Sequence, residues 1–309
     1  MKRSTLLFVL LCCTIFARAN KIDSLKTSEE VTGFIKTLLQ KEYKIDQPEV
    51  SFSYFDNSTA SRNSPCGDIS PYESLKKWNK ADFNNDGLTD LFVTMYEYGT
   101  KPLILVILAT TTADYKIIKL NVQRQACEFG YLDKSGKLPL IILTKKIFLN
   151  PKDKKAAKDT VTADTLQYST LSNNFIEIKK THPVYAIESI SLSTSECFGT
   201  CPVFSMMINN KGVVDYDAGD NNPQQGKFKT ILPNKTKDTL FQYLNDIDFP
   251  NLKDNYAVAW TDQPTNTLTI LYDNGKSKSI KDYGAKGNFG LMGLYGILFN
   301  LRYSEKWEK

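Results

Sequence analysis

The chain has 309 residues, 41% of them hydrophobic and 24% charged, a balance that belongs to a soluble globular protein and excludes a disordered or fibrous one. Its length is enough for two domains of ordinary size. The formal charge of +5 includes Lys2, Arg3 and Arg18; without residues 1–19, 36 basic residues face 34 acidic ones, a net +2 that gives no footprint for nucleic acid, so none is expected as a partner.

The N-terminus has the three parts of a secretory signal peptide. Lys2 and Arg3 form a basic start, Leu6 to Phe16 is an apolar run, and Ala17-Arg18-Ala19 places small residues where a signal peptidase reads. Cleavage is expected after Ala19, giving an exported chain in the periplasm or outside the cell. The apolar run is about half of the roughly 20 residues that a membrane span needs, so no transmembrane segment is expected in the mature chain. Leu11 before Cys12 is too large for a lipoprotein signal. Four cysteines remain after the leader: Cys66, Cys127, Cys197 and Cys201. An even number in an exported chain suggests disulfides, and three pairings are open. The short spacing favours Cys197–Cys201, which leaves Cys66–Cys127.

Thr27 to Tyr43 carries a helical pattern in Val31, Phe34, Ile35, Leu38 and Leu39, with Ser28, Glu29 and Glu30 at its start. Val50 to Phe55 alternates as a strand, Asn57 to Asp68 reads as a polar loop, and Tyr72 to Trp78 as a short helix. Strands are predicted at 90–96, 103–110, 115–120, 128–132 and 138–144, forming one meander. Asn150 to Asp164 reads as a solvated loop, followed by a strand pair at 165–168 and 175–178 and a linker at 179–183. Further strands are predicted at 186–192, 203–208, 213–216, 267–272 and 277–283, and helices at 235–247 and 289–303. Asn209-Asn210-Lys211-Gly212 and Asn274-Gly275 are hairpin signals.

Asp82, Asn84, Asp86 and Asp90, with Gly87 in the turn and the Leu88 carbonyl between, occupy positions 1, 3, 5, 9 and 7 of a calcium loop. Calcium takes six to eight oxygens, which short oxygen-bearing side chains around a glycine turn can supply. Val93 stands where an EF-hand needs its bidentate glutamate, so this is not an EF-hand. The alternative is an Asx-turn cluster without an ion. The stretch resembles the calcium loop of FG-GAP/VCBS-type repeats over about residues 80–94, which implies a structural calcium. The motif occurs once, so the propeller fold of those families does not carry over.

Cys197-Phe198-Gly199-Thr200-Cys201-Pro202 describes a tight turn leading into a strand. Three chemistries compete: a structural disulfide worth roughly 2 kcal/mol in chain entropy, a redox pair, and half of a zinc site. The strand-like run after Pro202 and the lack of nearby partners favour the staple. The hexapeptide, with Val203-Phe204, the Gly212 turn, Tyr216, Tyr256, Asp262 with Pro264, and Asp282-Tyr283, resembles a bacterial family of exported domains of unknown function across about residues 187–301. That resemblance implies a domain boundary and no reaction.

Gly284, Gly287, Gly290, Gly293 and Gly296 recur every third residue, a spacing that suits a helix pressed closely on a sheet. His182 is the single histidine, which removes Ser-His-Asp and multi-histidine metal chemistry. Asp262, Asp273 and Asp282 lie near strand ends as solvated carboxylates or candidates for carboxylate hydrolysis. Tyr256, Trp260 and Tyr283 are packing residues or the wall of a ligand groove. The expected fold class is α+β. Residues 20–180 form a β-rich domain, an antiparallel meander with a leading helix, and residues 185–309 a smaller antiparallel sheet domain with two helices. The expected function is binding of an unknown protein or small ligand without catalysis. The alternative is a periplasmic enzyme, either a thiol–disulfide catalyst at Cys197/Cys201 or a carboxylate hydrolase.

Overall fold

The computed structural model describes residues 19–44, 46–52, 77–98, 101–120, 127–136, 138–147, 160–178 and 183–309. Three largely antiparallel sheets and four α-helices make up these residues, an α+β arrangement. Residues 1–18 of the expected signal peptide, Cys66, His182, residues 53–55 of the strand predicted at Val50 to Phe55 and residues 72–76 of the helix predicted at Tyr72 to Trp78 lie outside them.

Asn20 caps a single-turn helix, α1 (Lys21–Ser24), and its side-chain amide donates to the Thr89 carbonyl at 2.8 Å. Helix α2 (Ser28–Tyr43) begins with a reciprocal capping box. The Thr27 hydroxyl accepts from the Glu30 amide, and the Glu30 carboxylate accepts from the Thr27 amide, both at 3.2 Å. The helix ends at Lys44 in the left-handed region, φ 54°.

The first sheet orders β1 (Val50–Ser51), β3 (Asp90–Glu97), β4 (Lys101–Ala109) and β5 (Tyr115–Lys119), with β2 (Trp78–Ala81) also on β3. It is the middle layer of three, which explains why β3 and β4 are almost wholly apolar. Leu91, Val93 and Met95 join Leu103, Leu105 and Ile107 beneath α2. The alternate residues Phe92, Ile104, Val106 and Leu108 face a second sheet. That sheet runs β6 (Cys127–Asp133), β7 (Leu140–Ile147), β8 (Thr160–Ser169) and β9 (Asn174–Glu177). The predicted single meander is thus two sheets stacked face to face. Thr160–Asp164, predicted as loop, pairs with β7, and Trp78 opens a strand rather than ending a helix.

The third sheet has seven strands in the order β13-β12-β11-β10-β15-β16-β14. These are β10 (Ile187–Thr194), β11 (Phe204–Asn209), β12 (Val213–Ala218), β13 (Gly226–Ile231), β14 (Asn255–Ala257), β15 (Thr265–Tyr272) and β16 (Lys276–Tyr283). β13 and β14 were not predicted, and β14 lies parallel to β16, so the sheet is not purely antiparallel. Helices α3 (Asn234–Asp246) and α4 (Phe289–Ser304) contribute Leu240, Leu244, Leu294 and Leu298 to a core with Ile190, Ile208, Leu268 and Ile280. The glycine series has a packing cause at four positions, the first being Gly284, where a methyl group would meet Val258. A methyl group at Gly287 would meet Tyr256, one at Gly290 would meet Ile247, and one at Gly293 would meet the Tyr243 hydroxyl; Gly296 faces open space.

The N-terminus of α4 joins the seven-stranded sheet to the other two. Phe289 is 2% exposed and packs with Phe175, Leu143 and Leu166 in the core between the stacked sheets. The first four amides of any helix lack intrahelical acceptors. Here the Phe289 and Gly290 amides donate to the two oxygens of Glu177 on β9, at 2.9 and 3.0 Å. The Leu291 amide donates to the Asn288 side chain at 2.8 Å, and the Met292 amide to the Asn288 carbonyl at 3.0 Å. The Phe289, Gly290 and Leu291 amides, which have no acceptor within the helix, are thus all bonded. Removing the Glu177 carboxylate strands two partly buried donors, so Glu177→Ala should lower the unfolding free energy by about 2 kcal/mol, and Phe289→Ala by about 3–5 kcal/mol. Urea unfolding measures both; a loss under about 0.5 kcal/mol for either would show that this joint does not hold the sheets together.

Candidate functional site

The turn between β2 and β3 is built as a network of oxygen acceptors over backbone amides. The Asp82 carboxylate accepts from the Asp86 amide at 3.2 Å and the Gly87 amide at 2.9 Å. The Asn84 side-chain oxygen accepts from the Asp86 amide at 3.2 Å, and Asp86 from the Leu88 amide at 2.8 Å. Asn85 and Gly87 take left-handed conformations, φ 59° and 83°. Asp90 is fully buried, and its oxygens accept from the Phe83 and Ala109 amides, each at 2.9 Å. Burial pushes its carboxyl up to about 7 against the pull of those two donors, with smaller upward pushes from Asp86 and Asp82. The structure therefore gathers Asp82, Asn84 and Asp86 in one turn, with Leu88 following, and commits Asp90 to closing the turn onto β4. Among the described residues, no three His, Cys, Asp or Glu side chains converge as a metal-holding group.

Cys197 and Cys201 form a disulfide, Cα atoms 5.8 Å apart, in the loop between β10 and β11. Gly199 sits at φ 150°, and its amide donates to the Cys197 carbonyl at 2.9 Å. The surrounding polar contacts fix the loop from several sides. Asn221 donates to the Cys201 carbonyl at 3.0 Å, and Thr194 to the Pro202 carbonyl at 2.7 Å. Asn222 donates to the Val203 carbonyl at 2.7 Å and accepts from Arg302 at 2.8 Å. The Arg302 guanidinium lies over the Phe204 and Phe299 rings, 4.9 Å from each centroid. Phe198, at the tip, is 90% exposed. Cys127 opens β6; its expected pairing with Cys66 falls outside the described residues.

Two further features depart from the sequence expectation, in which Asp282 is a solvated or hydrolytic carboxylate. One is a buried polar group at the end of β16. Asp282 is fully buried, lies across from Asn266 and beside Tyr256 in the sheet, and accepts from the Gly287 and Lys286 amides at 2.9 and 3.2 Å. Burial is the main cause that raises its carboxyl above the ordinary 3.8. The Tyr295 hydroxyl stands beside it outside strict hydrogen-bond geometry, and burial followed by the Asp282 charge pushes that phenol upward. The Asn266 amide is buried with no partner among the described residues.

The other is a cleft of about 710 Å3 beside the acidic turn. Asn84 and Asn85 of the turn form one side, over Phe83. The β8–β9 hairpin supplies Gln167, Tyr168 and Thr170, and α3 supplies Gln242 and Asp246. These walls are far apart in the chain and carry no motif, so nothing in the sequence joins them.

Residues 188–302 match a protein family described as a Domain of unknown function (DUF6438), which contains the cysteine clasp, the Asp282 group and both later helices. No curated protein and no solved structure matches the chain.

A raised Asp282 fixes the sign of a pH effect. Ionising it costs the folded state, so its contribution is fully present below the unfolded value of 3.8 and is lost as pH rises through the folded value. Asp282→Asn mimics the protonated form. Its urea midpoint should improve relative to the parent as pH rises from about 4, then level off. A midpoint difference that stays constant from about pH 3 to 8 would contradict the assignment.

Proposed function

We propose that this chain is an exported, non-catalytic binding protein of the cell envelope whose ligand lies in the cleft between the acidic turn, the β8–β9 hairpin and α3. The lining carries the reading. The cleft volume falls within the roughly 300–1,000 Å3 of small-ligand sites, and its polar side chains are amides and hydroxyls rather than a nucleophile with a base. Of its carboxylates, Glu177 is engaged by the α4 amides. Asp90 and Asp282, the carboxyls raised by burial, are inside the protein, where a substrate does not reach them.

Export is supported by the disulfide and by Asn20. That residue is 7% exposed, and its backbone nitrogen lies 2.8 Å from the Asp23 carboxylate. Cleavage after Ala19 would place the new ammonium group against that carboxylate. Calcium is proposed as a stabiliser of the turn through Asp82, Asn84 and Asp86, on the strength of their spacing and the glycine turn. Thiol exchange, the rival, gains no support from a pair that leads into a strand rather than a helix N-terminus and is held by side chains on several sides.

The test is to isolate the protein from cells expressing the full chain and determine its N-terminus, thiol state and melting temperature. The reading requires Asn20 as first residue and no alkylation of Cys197 or Cys201. Calcium should raise the melting temperature in the parent and not in Asp86→Ala. A small-molecule extract of the envelope should raise it too, and Thr170→Trp, which fills the cleft, should abolish that second rise. An unprocessed chain with free thiols would overturn export, and a melting temperature unmoved by calcium would remove the ion. An extract that leaves the parent unchanged, or acts equally on Thr170→Trp, would overturn the cleft.

A further inference from the structure

The geometry points to a neutral oligosaccharide as the occupant of this cleft, an inference that rests on the cleft being the ligand site. Charge decides first. Among the described residues no lysine, arginine or histidine lines the cleft, so none of them offsets a phosphate, sulfate or carboxylate ligand. Of its two carboxylates among the described residues, Glu177 is bonded to two amides of α4 and Asp246 has an interaction of its own. The rest of the polar lining is uncharged.

Hydrogen-bonding capacity decides next. Asn85, Gln167 and Gln242 present three side-chain amides from three separate elements, and Thr170 adds a hydroxyl. None of these four side chains makes a hydrogen bond among the described residues. A side-chain amide offers two donors and an acceptor in one plane. A sugar ring with neighbouring hydroxyls, each both donor and acceptor, is the neutral ligand that uses such groups most fully. Tyr168 provides the apolar complement. Its half-buried ring lines the cleft, held edge-on by Phe175 at 5.6 Å between centroids, as a surface for the C–H face of a pyranose.

A peptide is the competing neutral ligand. An extended peptide gains most of its affinity by adding a strand to a free sheet edge. β9 is the edge strand of its sheet, and the N-terminus of α4 packs against it, with the Glu177 side chain taken by the Phe289 and Gly290 amides. The neutral peptide titrated below distinguishes that mode from recognition by side-chain amides.

The experiment is calorimetric titration of the purified chain with maltopentaose, cellopentaose and N-acetylated chitopentaose. A neutral alanine pentapeptide, a polygalacturonate pentamer and a deacetylated chitopentamer serve as counter-ligands. The proposal requires that at least one neutral pentasaccharide binds and that the counter-ligands do not. Gln167→Ala with Gln242→Ala should weaken that binding by about tenfold or more, and Phe198→Ala, remote in the cysteine loop, should leave it unchanged. Because the double variant could misfold, hydrogen exchange on the unmodified protein supplies an independent readout: saccharide should slow exchange at residues 84–86, 167–171 and 242–246. The proposal is overturned if no neutral saccharide binds, if the peptide or a charged oligomer binds as tightly, or if protection falls elsewhere. Should no saccharide bind while Thr170→Trp still abolishes the stabilisation by envelope extract, the sugar assignment falls and the binding cleft stands.

Discussion

A helix that begins inside a protein must find acceptors for its first amides, and α4 borrows two of them from another sheet. Glu177, on the edge strand β9, offers one carboxylate oxygen to Phe289 and the other to Gly290. The helix dipole adds to the attraction of those donors for an anion. Phe289 sits in the core between the two stacked sheets. The region that matches DUF6438 is therefore tied to the N-terminal sheets by a charge-assisted cap and a buried ring at the same point.

That joint positions the cleft. One wall is the hairpin that carries Glu177, another is the acidic turn packed over Phe83, and the third is α3, which lies beside α4 through the Tyr243 hydroxyl and the Gly290 carbonyl at 3.0 Å. Small residues along α4 let it come this close, since a methyl at Gly290 or Gly293 would strike Ile247 or Tyr243. The acidic turn is held independently. Asp90 ties it to Phe83 and Ala109, and the Asn20 amide secures Thr89. Rigid walls from separate elements are what a binding site needs to be formed before its ligand arrives.

How far this was legible in the sequence depends on the range of the interactions concerned. Local chemistry was readable. Ser28, Glu29 and Glu30 form the first turn of α2 as expected, though its cap is Thr27; the cysteine turn forms its disulfide, and Asp273, Asn274 and Gly275 all take positive φ in the predicted hairpin. Pairing between distant strands was not. β13 exposes Lys227 and Lys229 and buries mainly Phe228, so a short edge strand reads as polar loop. Thr160 to Asp164 is polar yet paired along β7. The division into two sheets follows from the same limit, because alternation along β3 marks both faces as apolar without naming what covers each. The cleft was illegible for a stronger reason: amides and hydroxyls from residues near 84, 167 and 242 share no spacing and no reactive type. Among the predicted site residues, Asp90 is the instructive one. Its position fits a ligand register, and its oxygens also accept from backbone amides of the fold, a role that its spacing does not announce.

The central claim is that α4 and the β8–β9 hairpin form one cooperative unit. The direct measurement is native-state hydrogen exchange followed through rising urea concentration, comparing peptides that cover residues 165–178 with those that cover 289–304. The account predicts that both lose protection in a single step with the same urea dependence. Loss of protection in one at a lower urea concentration, while the other stays closed, would contradict it.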